Sequence, residues 1–329
     1  MLPMIENPVS SHDVPEVSVV VINYNTGYLL DRMFAALEAA KASLRIEFIV
    51  VDNASTDNSI EILENRYPSV TLIKNPMNVG FGRANNQAIP HIRGRYILLL
   101  NTDAFVASDT LEKTVAFMSG HPRCGVLGVK LVGGDGALQP SCRYFPTPWN
   151  VFLERSGLSR LFPNHRLVDD MSWDHGSVRQ CDWVPGCYYL ARSEVIRQVG
   201  LFDPRYFLYY EEVDHCRAVR AADWQVIYYP FTEVVHIGGE SAKTDGAITR
   251  VGRQISMLQI ESELLYFRKF YGVTGLVASV VLSVSADVLL ALKSLFRRFD
   301  IRGASAAFRH MLAVLKVLGA TGLAAHPTR

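Results

Sequence analysis

The chain has 329 residues, 49% of them apolar, and a formal net charge of +1. That length buries a full core and leaves room for an appendage beyond one typical domain, while the near-neutral balance gives no footing for nucleic-acid binding driven by phosphate neutralisation. The five cysteines (Cys124, Cys142, Cys181, Cys187, Cys216) are odd in number and contain no C-x-x-C pair, which indicates neither a disulfide framework nor a zinc site and fits a reducing cytoplasm.

Residues 1–16 carry three prolines and no charged-then-apolar signal pattern, and are expected to be a loose leader. Val17 to Ile22 is a β-branched run suited to a central strand, and Asn23-Tyr24-Asn25-Thr26-Gly27 ends it with turn-forming residues. Leu29, Leu30, Met33, Phe34 and Leu37 then recur at helical spacing. The scheme repeats: Ile46 to Val51 runs into Asp52-Asn53-Ala54-Ser55-Thr56-Asp57 and a helix through Ile60, Ile62 and Leu63. Val70 to Ile73 predicts a third strand, Ala84 to Ile89 a short helix, and Tyr96 to Leu100 a fourth strand. Strand, polar turn and helix in alternation predict a doubly wound, mostly parallel α/β sheet. The cluster Gly80-Phe81-Gly82-Arg83-Ala84-Asn85 does not make a dinucleotide-binding fingerprint, because Asn85 stands at the third glycine position and the cluster follows the third strand.

The fourth strand ends in Asn101-Thr102-Asp103, at the carboxyl edge where open α/β sheets bind ligands. Asp103 there suits a hard cation and a diphosphate; capping of a βα turn is the alternative reading. A helix is expected from Leu111 to Met118, strands at Val126 to Val132 and Ala137 to Arg143, and a long binding loop or lid from Tyr144 to about Asp174. An aromatic strand spans Asp182 to Arg192, with a short helix to Val199. Tyr209-Tyr210-Glu211-Glu212-Val213-Asp214 sets three carboxylates behind an aromatic run, which reads as a site; a solvated helix start is the alternative. If the segment is helical, Glu211 and Asp214 share a face and Asp214 can pair with Arg217. Two more strands are expected at Val226 to Tyr229 and Glu233 to Ile237. His236 precedes Gly238-Gly239-Glu240-Ser241, glycines that let a backbone approach a phosphate.

Beyond that point the chain reads as a helical appendage over 241–329. Gln254 to Phe270 is one expected helix, and Val273 to Leu292 is long enough to span a bilayer, although Asp287 and three serines argue against a simple span. Ala304 to Leu318 sets Phe308, Met311, Leu312, Leu315 and Leu318 against Arg309, His310 and Lys316, a basic amphipathic helix suited to a membrane surface. A helical cap on the sheet or a dimer interface is the other reading.

In order and spacing, Val20-Val21-Ile22-Asn23-Tyr24-Asn25, Val50 to Asp57, Asn78 to Asn86, Leu99 to Asp103 and Tyr209 to Asp214 resemble the inverting family 2 glycosyltransferases, and the subgroup most resembled is the bacterial rhamnosyltransferase type that builds surface polysaccharides. The resemblance covers Val17 to about Glu240. It implies a type A fold with a nucleotide-binding half over 17–104 and an acceptor half over 105–240. It further implies a UDP- or dTDP-sugar donor, dTDP-rhamnose among the candidates, with Asn23, Asn25, Asp52, Asn53, Gly82, Arg83, Asn85, Asn101 and Thr102 around the nucleotide sugar. Asp103 matches the last acid of the metal motif, with Asn101 where many members carry the first acid, and His236 matches a histidine that joins the Mn2+ or Mg2+ or the diphosphate in some relatives. Glu212 falls where the family's general base is expected, as part of a Glu-Glu rather than a Glu-Asp pair, so Glu211 or Glu212 can reach the acceptor; Asp214 supports them. The implied acceptor is a polysaccharide or lipid-linked oligosaccharide at the cytoplasmic face of the cell membrane, with peripheral attachment favoured over spanning. A polyprenyl-phosphate glycosyl transferase and a catalytically inactive assembly subunit are the alternatives.

Overall fold

The computed structural model describes residues 14–238, 248–298 and 300–329; side chains at 248–256 and 297–298 lie outside that description. So do residues 1–13 of the leader expected over 1–16 and residues 239–241 of the phosphate-approach segment expected at Gly238 to Ser241.

Four strands, β1 (Val17–Asn23), β2 (Ile46–Asp52), β3 (Thr71–Lys74) and β4 (Tyr96–Asn101), pair in parallel in the order β3-β2-β1-β4. Val17 to Val21 and Tyr96 to Leu100 are buried throughout, as strands covered on both faces must be. The helices α1 (Gly27–Ala40), α2 (Ser59–Arg66) and α3 (Phe81–Ala88) make the crossovers, and Leu30, Met33, Phe34 and Leu37 bury the apolar face of α1. Hydrophobic cores lie on both faces of the sheet, one containing Val20, Ile49 and Leu99, the other Val19, Val50 and Leu98.

The second half is mixed rather than parallel. It comprises β5 (Ala104–Val106), α4 (Thr110–Gly120), β6 (Cys124–Val132), β7 (Leu138–Gln139), α5 (Pro148–Ser156), β8 (Arg179–Gln180), β9 (Tyr188–Arg192), α6 (Ser193–Val199), α7 (Glu211–Ala221) and β10 (Gln225–His236). The sheet continues from β4 as β9-β6-β10-β5, with β9 antiparallel to both β4 and β6. Antiparallel pairing here brings the start of β9 to the same edge as the ends of β1, β2 and β4.

Several boundaries differ from expectation for identifiable reasons. The two strands expected around residue 230 are one, β10, with a register shift between Tyr229 and Glu233. Pro230 has no N–H to give the ladder, and a local irregularity absorbs it. The expected strand over Ala137 to Arg143 shrinks to the two residues of β7, and Arg143 instead bridges to Asp169 and Trp183. The long loop after Tyr144 contains α5, started by Pro148 and a reciprocal cap in which Thr147 Oγ1 accepts from the Asn150 amide at 3.1 Å while the Thr147 amide donates to Asn150 Oδ1 at 2.8 Å.

The C-terminal region is a long helix, α8 (Ile248–Arg298), interrupted at Gly272, followed by α9 (Ile301–Ala320). The φ of +65° at Gly272 is one that glycine adopts without a Cβ penalty, so the two expected helices become one kinked element. Before the kink, Leu264, Leu265, Tyr266 and Phe267 join the same core as the sheet. After it the polarity inverts. Ser279, Ser283 and Asp287 are buried, whereas Val273, Val277, Val281, Val288 and Leu292 face outward. Asp287 accepts from Arg155 of α5 at 2.7 Å and bonds His310 of α9 at 2.8 Å, which explains how a carboxylate is tolerated in an apolar helix. In α9 likewise Phe308, Leu312 and Leu315 face outward while Val314 and Val317 are buried.

Candidate active site

The carboxyl ends of β1, β2 and β4 are tied to one another by side chains. Asn23 Nδ2 donates to Asp52 Oδ2 at 2.8 Å and to Ser55 Oγ at 3.0 Å, and the Ser55 amide donates to Asp52 Oδ1 at 2.9 Å. Thr26 Oγ1 lies 2.8 Å from Asn23 Oδ1 and 2.9 Å from Thr102 Oγ1. Asn25, in the left-handed region at φ +54°, accepts from the Thr56 amide at 2.7 Å. Asp52 is wholly buried with both oxygens engaged, so it braces this edge from within and presents no open oxygen to a base or ribose. Asn53 is also an internal brace: its Nδ2 donates to Asn78 Oδ1 at 2.8 Å and its Oδ1 accepts from the Val79 amide at 3.0 Å.

The glycine cluster after β3 joins the two halves. The Phe81 amide donates to the Phe207 carbonyl at 2.8 Å, and a Cβ on Gly80 would meet that oxygen at 2.4 Å, so only glycine permits the approach. Gly82 lets α3 lie against the start of α7, where a Cβ would be 3.6 Å from that of Glu211. Arg83 donates to the carbonyls of Pro204 at 2.8 Å and Arg329 at 2.7 Å, and Asn85 donates to the Phe81 carbonyl at 3.0 Å. These contacts hold the chain that leads into the acidic turn. Tyr209 and Tyr210 both take positive φ there, 71° and 70°, conformations disfavoured for bulky residues that the surrounding bonds must sustain.

Glu211, Glu212 and Asp214 start α7 on unequal footings. Glu211 is 3% exposed and Glu212 is half-buried; one oxygen of each, Oε2, has no hydrogen-bond partner among the described residues. Burial, reinforced by the charge of Glu212, holds the Glu211 carboxyl well above the usual range. Burial also raises Glu212, opposed by its own helix-start amide, the positive Arg143 and the Gly186 amide. Glu211 is thus biased toward its protonated form, while a guanidinium and two amides offset part of the same bias at Glu212. Asp214 is committed elsewhere: it accepts from Tyr206 at 2.8 Å and from Lys269 of α8 at 2.6 Å, and Lys269 also bonds Asp203 at 2.8 Å. The expected pairing of Asp214 with Arg217 is not made. Arg217 turns to the phenols of Tyr266 and Tyr271, at 2.6 and 2.5 Å, and lies over aromatic rings, because α8 supplies both a nearer cation for Asp214 and a cage for the guanidinium.

On the other side of the cleft, Asp103 and His236 are brought together by the pairing of β5 with β10, with Asp103 Oδ1 3.6 Å from His236 Nε2. Burial lowers the affinity of His236 for a proton, against the pull of Asp103. Gln139 Nε2 donates to the His236 carbonyl at 2.8 Å, which turns its Oε1 to His236 Nδ1 at 3.0 Å. A carboxylate oxygen and an imidazole nitrogen facing each other suit a hard divalent cation. Among the described residues there is no group of three or more His, Cys, Asp or Glu that could hold a metal, so ligands from a bound diphosphate would have to complete such a site. Asn101 and Thr102 complete this edge: the Asn101 amide donates to the Cys187 carbonyl at 3.2 Å, and Thr102 is buried. Burial pushes the Cys187 thiol up, and the carboxylates of Asp103 and Glu212 push it further. Neither Gln139 nor Lys269 carried a sequence signal, since one sits in a two-residue strand and the other 55 positions from its partner.

Residues 18–172 match the family model described as Glycosyl transferase family 2. This segment is a family 2 glycosyltransferase domain. The chain is 29% identical over 248 residues, 70% of this chain and 78% of the other, to the N-acetylglucosaminyl-diphospho-decaprenol L-rhamnosyltransferase of Mycobacterium tuberculosis. It is 36% identical over 110 residues, 32% of this chain and 43% of the other, to an uncharacterised glycosyltransferase of Haemophilus influenzae. Its fold resembles that of a mannosyltransferase from Pyrobaculum calidifontis solved with GDP-Man and Mn2+, at a TM-score of 0.53 and 17% identity over 92% of this chain and 86% of that one. The glycosyltransferase core and the C-terminal helices thus lie within one recognisable type A arrangement.

Proposed function

We propose that this glycosyltransferase moves a sugar, with inversion, from a pyrimidine nucleotide sugar to a lipid-linked or polysaccharide acceptor at a membrane surface. The observation that carries the reading is the facing of Asp103 and His236, 3.6 Å apart, at the carboxyl edge of the sheet, where the Asn101 amide also ties the loop before β9 through the Cys187 carbonyl. Rhamnose as the sugar, and a diphospho-polyprenol as the carrier of the acceptor, rest on the similarity to the mycobacterial rhamnosyltransferase.

Asp103 and His236 would hold Mn2+ or Mg2+, which when bound supplies positive charge against the departing diphosphate. Glu212, the more accessible of the two glutamates, takes the proton from the acceptor hydroxyl as it attacks the face opposite the leaving group. Glu211 stays neutral and does not compete with it, and one displacement needs no covalent intermediate on the enzyme. Asn23, Asn25, Thr102 and Asn101 shape the nucleotide side, with Asp52 and Asn53 behind them, while Gly82, Arg83 and Asn85 hold the donor half against the turn at Tyr209. The outward apolar faces of α8 and α9 support attachment to a bilayer: the helix Met257–Phe296 is long and apolar enough to cross one by length and composition, and its most hydrophobic stretch is only 28% buried.

The test combines thermal shift and product analysis. With Mn2+ present, UDP or dTDP is expected to raise the melting temperature above that reached with GDP. Transfer from dTDP-rhamnose to a diphospho-polyprenol-linked N-acetylglucosamine is expected to give a product of inverted anomeric configuration. Retention of configuration, or equal stabilisation by GDP, overturns the corresponding part of the reading.

A further inference from the structure

We infer that Gln139 is a positioning residue that presets His236 for metal binding. The inference rests on the reading of His236 as a metal ligand and adds the residue that decides which ring nitrogen is offered. Gln139 grips His236 twice, its amide nitrogen on the backbone carbonyl at 2.8 Å and its amide oxygen on Nδ1 at 3.0 Å. The first bond fixes the amide orientation, because only the NH2 group can donate to a carbonyl. The second then decides the tautomer: an amide oxygen accepts only, so Nδ1 carries the hydrogen and Nε2 keeps its lone pair. Nε2 is the nitrogen that faces Asp103 Oδ1 at 3.6 Å. Two acceptors are thus aimed at one point before any cation arrives, the arrangement by which an outer hydrogen bond orients a metal-binding histidine.

The backbone around Gln139 serves the same end. β7 is two residues long, and Gln139 stands opposite Leu131 of β6. The Ser141 hydroxyl donates to the Gln139 carbonyl at 2.9 Å and accepts from the Leu131 amide at 3.2 Å, so one side chain clamps the short hairpin at the point where Gln139 projects to β10.

The test reads the tautomer and the metal separately. In metal-free, uniformly folded enzyme labelled with 15N-histidine, the His236 ring is assigned by its loss in His236→Gln; the wild type is expected to show Nδ1–H. Gln139→Leu, which removes both bonds, is expected to give a mixture of tautomers and to weaken Mn2+ binding, measured by electron paramagnetic resonance with UDP present, by about tenfold. Gln139→Glu keeps an acceptor against Nδ1 and is expected to retain the wild-type tautomer. Unchanged tautomer in Gln139→Leu overturns the inference, and so does unchanged Mn2+ affinity in Gln139→Leu when His236→Gln weakens it. Unchanged Mn2+ affinity in His236→Gln overturns the metal reading itself, and the inference falls with it. Melting temperatures of the variants separate these outcomes from misfolding.

Discussion

The phenol of Tyr210 donates to Glu263 Oε2 at 3.1 Å, so the residue directly before the paired glutamates is anchored in the C-terminal helix. Tyr210 is held in a left-handed conformation at φ +70°, and burial raises Glu263 above the usual carboxylate range against the opposing pull of Arg155, the Tyr210 hydroxyl and His310. Removing this bond from Tyr210→Phe is expected to cost about 1–2 kcal/mol, because a half-buried acceptor loses its donor. Turnover is expected to fall more than donor affinity, as the turn that aims Glu212 relaxes. Denaturant unfolding and a kcat against KM comparison check both statements.

Glu212→Gln keeps the shape of the proposed base and removes its proton affinity. Turnover is expected to fall by a factor on the order of a hundred or more while UDP binding in Mn2+ survives. Glu211→Gln, an isostere of the neutral acid that burial enforces, is expected to cost much less. A larger loss in Glu211→Gln would transfer the role of base to Glu211.

The same pair predicts opposed pH trends. Both glutamates have folded-state affinities for protons above their unfolded ones, so between the two values the native state holds more protons and stability falls as pH rises. Activity moves the other way, since Glu212 must lose its proton to act. Glu211→Gln is expected to flatten the fall in stability, measured as melting temperature from pH 4.5 upward; a slope equal to that of the wild type would contradict the assignment of Glu211 as the buried acid.

Lys269 joins Asp203 and Asp214 across the boundary between α7 and α8. Lys269→Met leaves the buried Asp214 without its cation and is expected to destabilise the protein by about 3 kcal/mol, read by urea unfolding. Pairing Lys269→Met with Asp214→Asn is expected to recover part of that loss, because the stranded charge goes with the cation.

Membrane attachment is tested on the outward face of α8. Val277 and Val281 are 54% and 57% exposed, so Val277→Glu with Val281→Glu disturbs no core contact. The wild type is expected to sediment with anionic liposomes and the double variant to remain in the supernatant, with unchanged melting. Sedimentation of both would place attachment elsewhere.

The parallel half of the sheet was readable because its strands are uninterrupted apolar runs that end in polar turns: Val17 to Asn23 and Tyr96 to Asn101 fall within a residue of expectation. Family 2 membership was readable for the same reason, since its motifs sit at those strand ends. Less legible were features that depend on partners far along the chain. Asp214 was paired with Arg217 because they are three positions apart, whereas Lys269 reaches it through tertiary packing. The resemblance put Asp52 at the nucleotide sugar, and only the fold shows Asn23 and Ser55 bonded to its buried carboxylate. Asp287 looked like an obstacle to an apolar helix, and only the fold shows Arg155 and His310 waiting for it.

The reversed direction of β9 has a chemical consequence at the cleft. β1, β2 and β4 finish at this edge whereas β9 begins there, and the loop before it can present a backbone amide to the site. The loop that opens β9 does this at Gly186, whose N–H favours the ionised form of Glu212. The edge thereby gains a backbone N–H beside the carboxylate proposed as the base. Had β9 run parallel to β4, its start would lie at the opposite edge of the sheet, and the charge on Glu212 would keep only its own helix-start amide and Arg143.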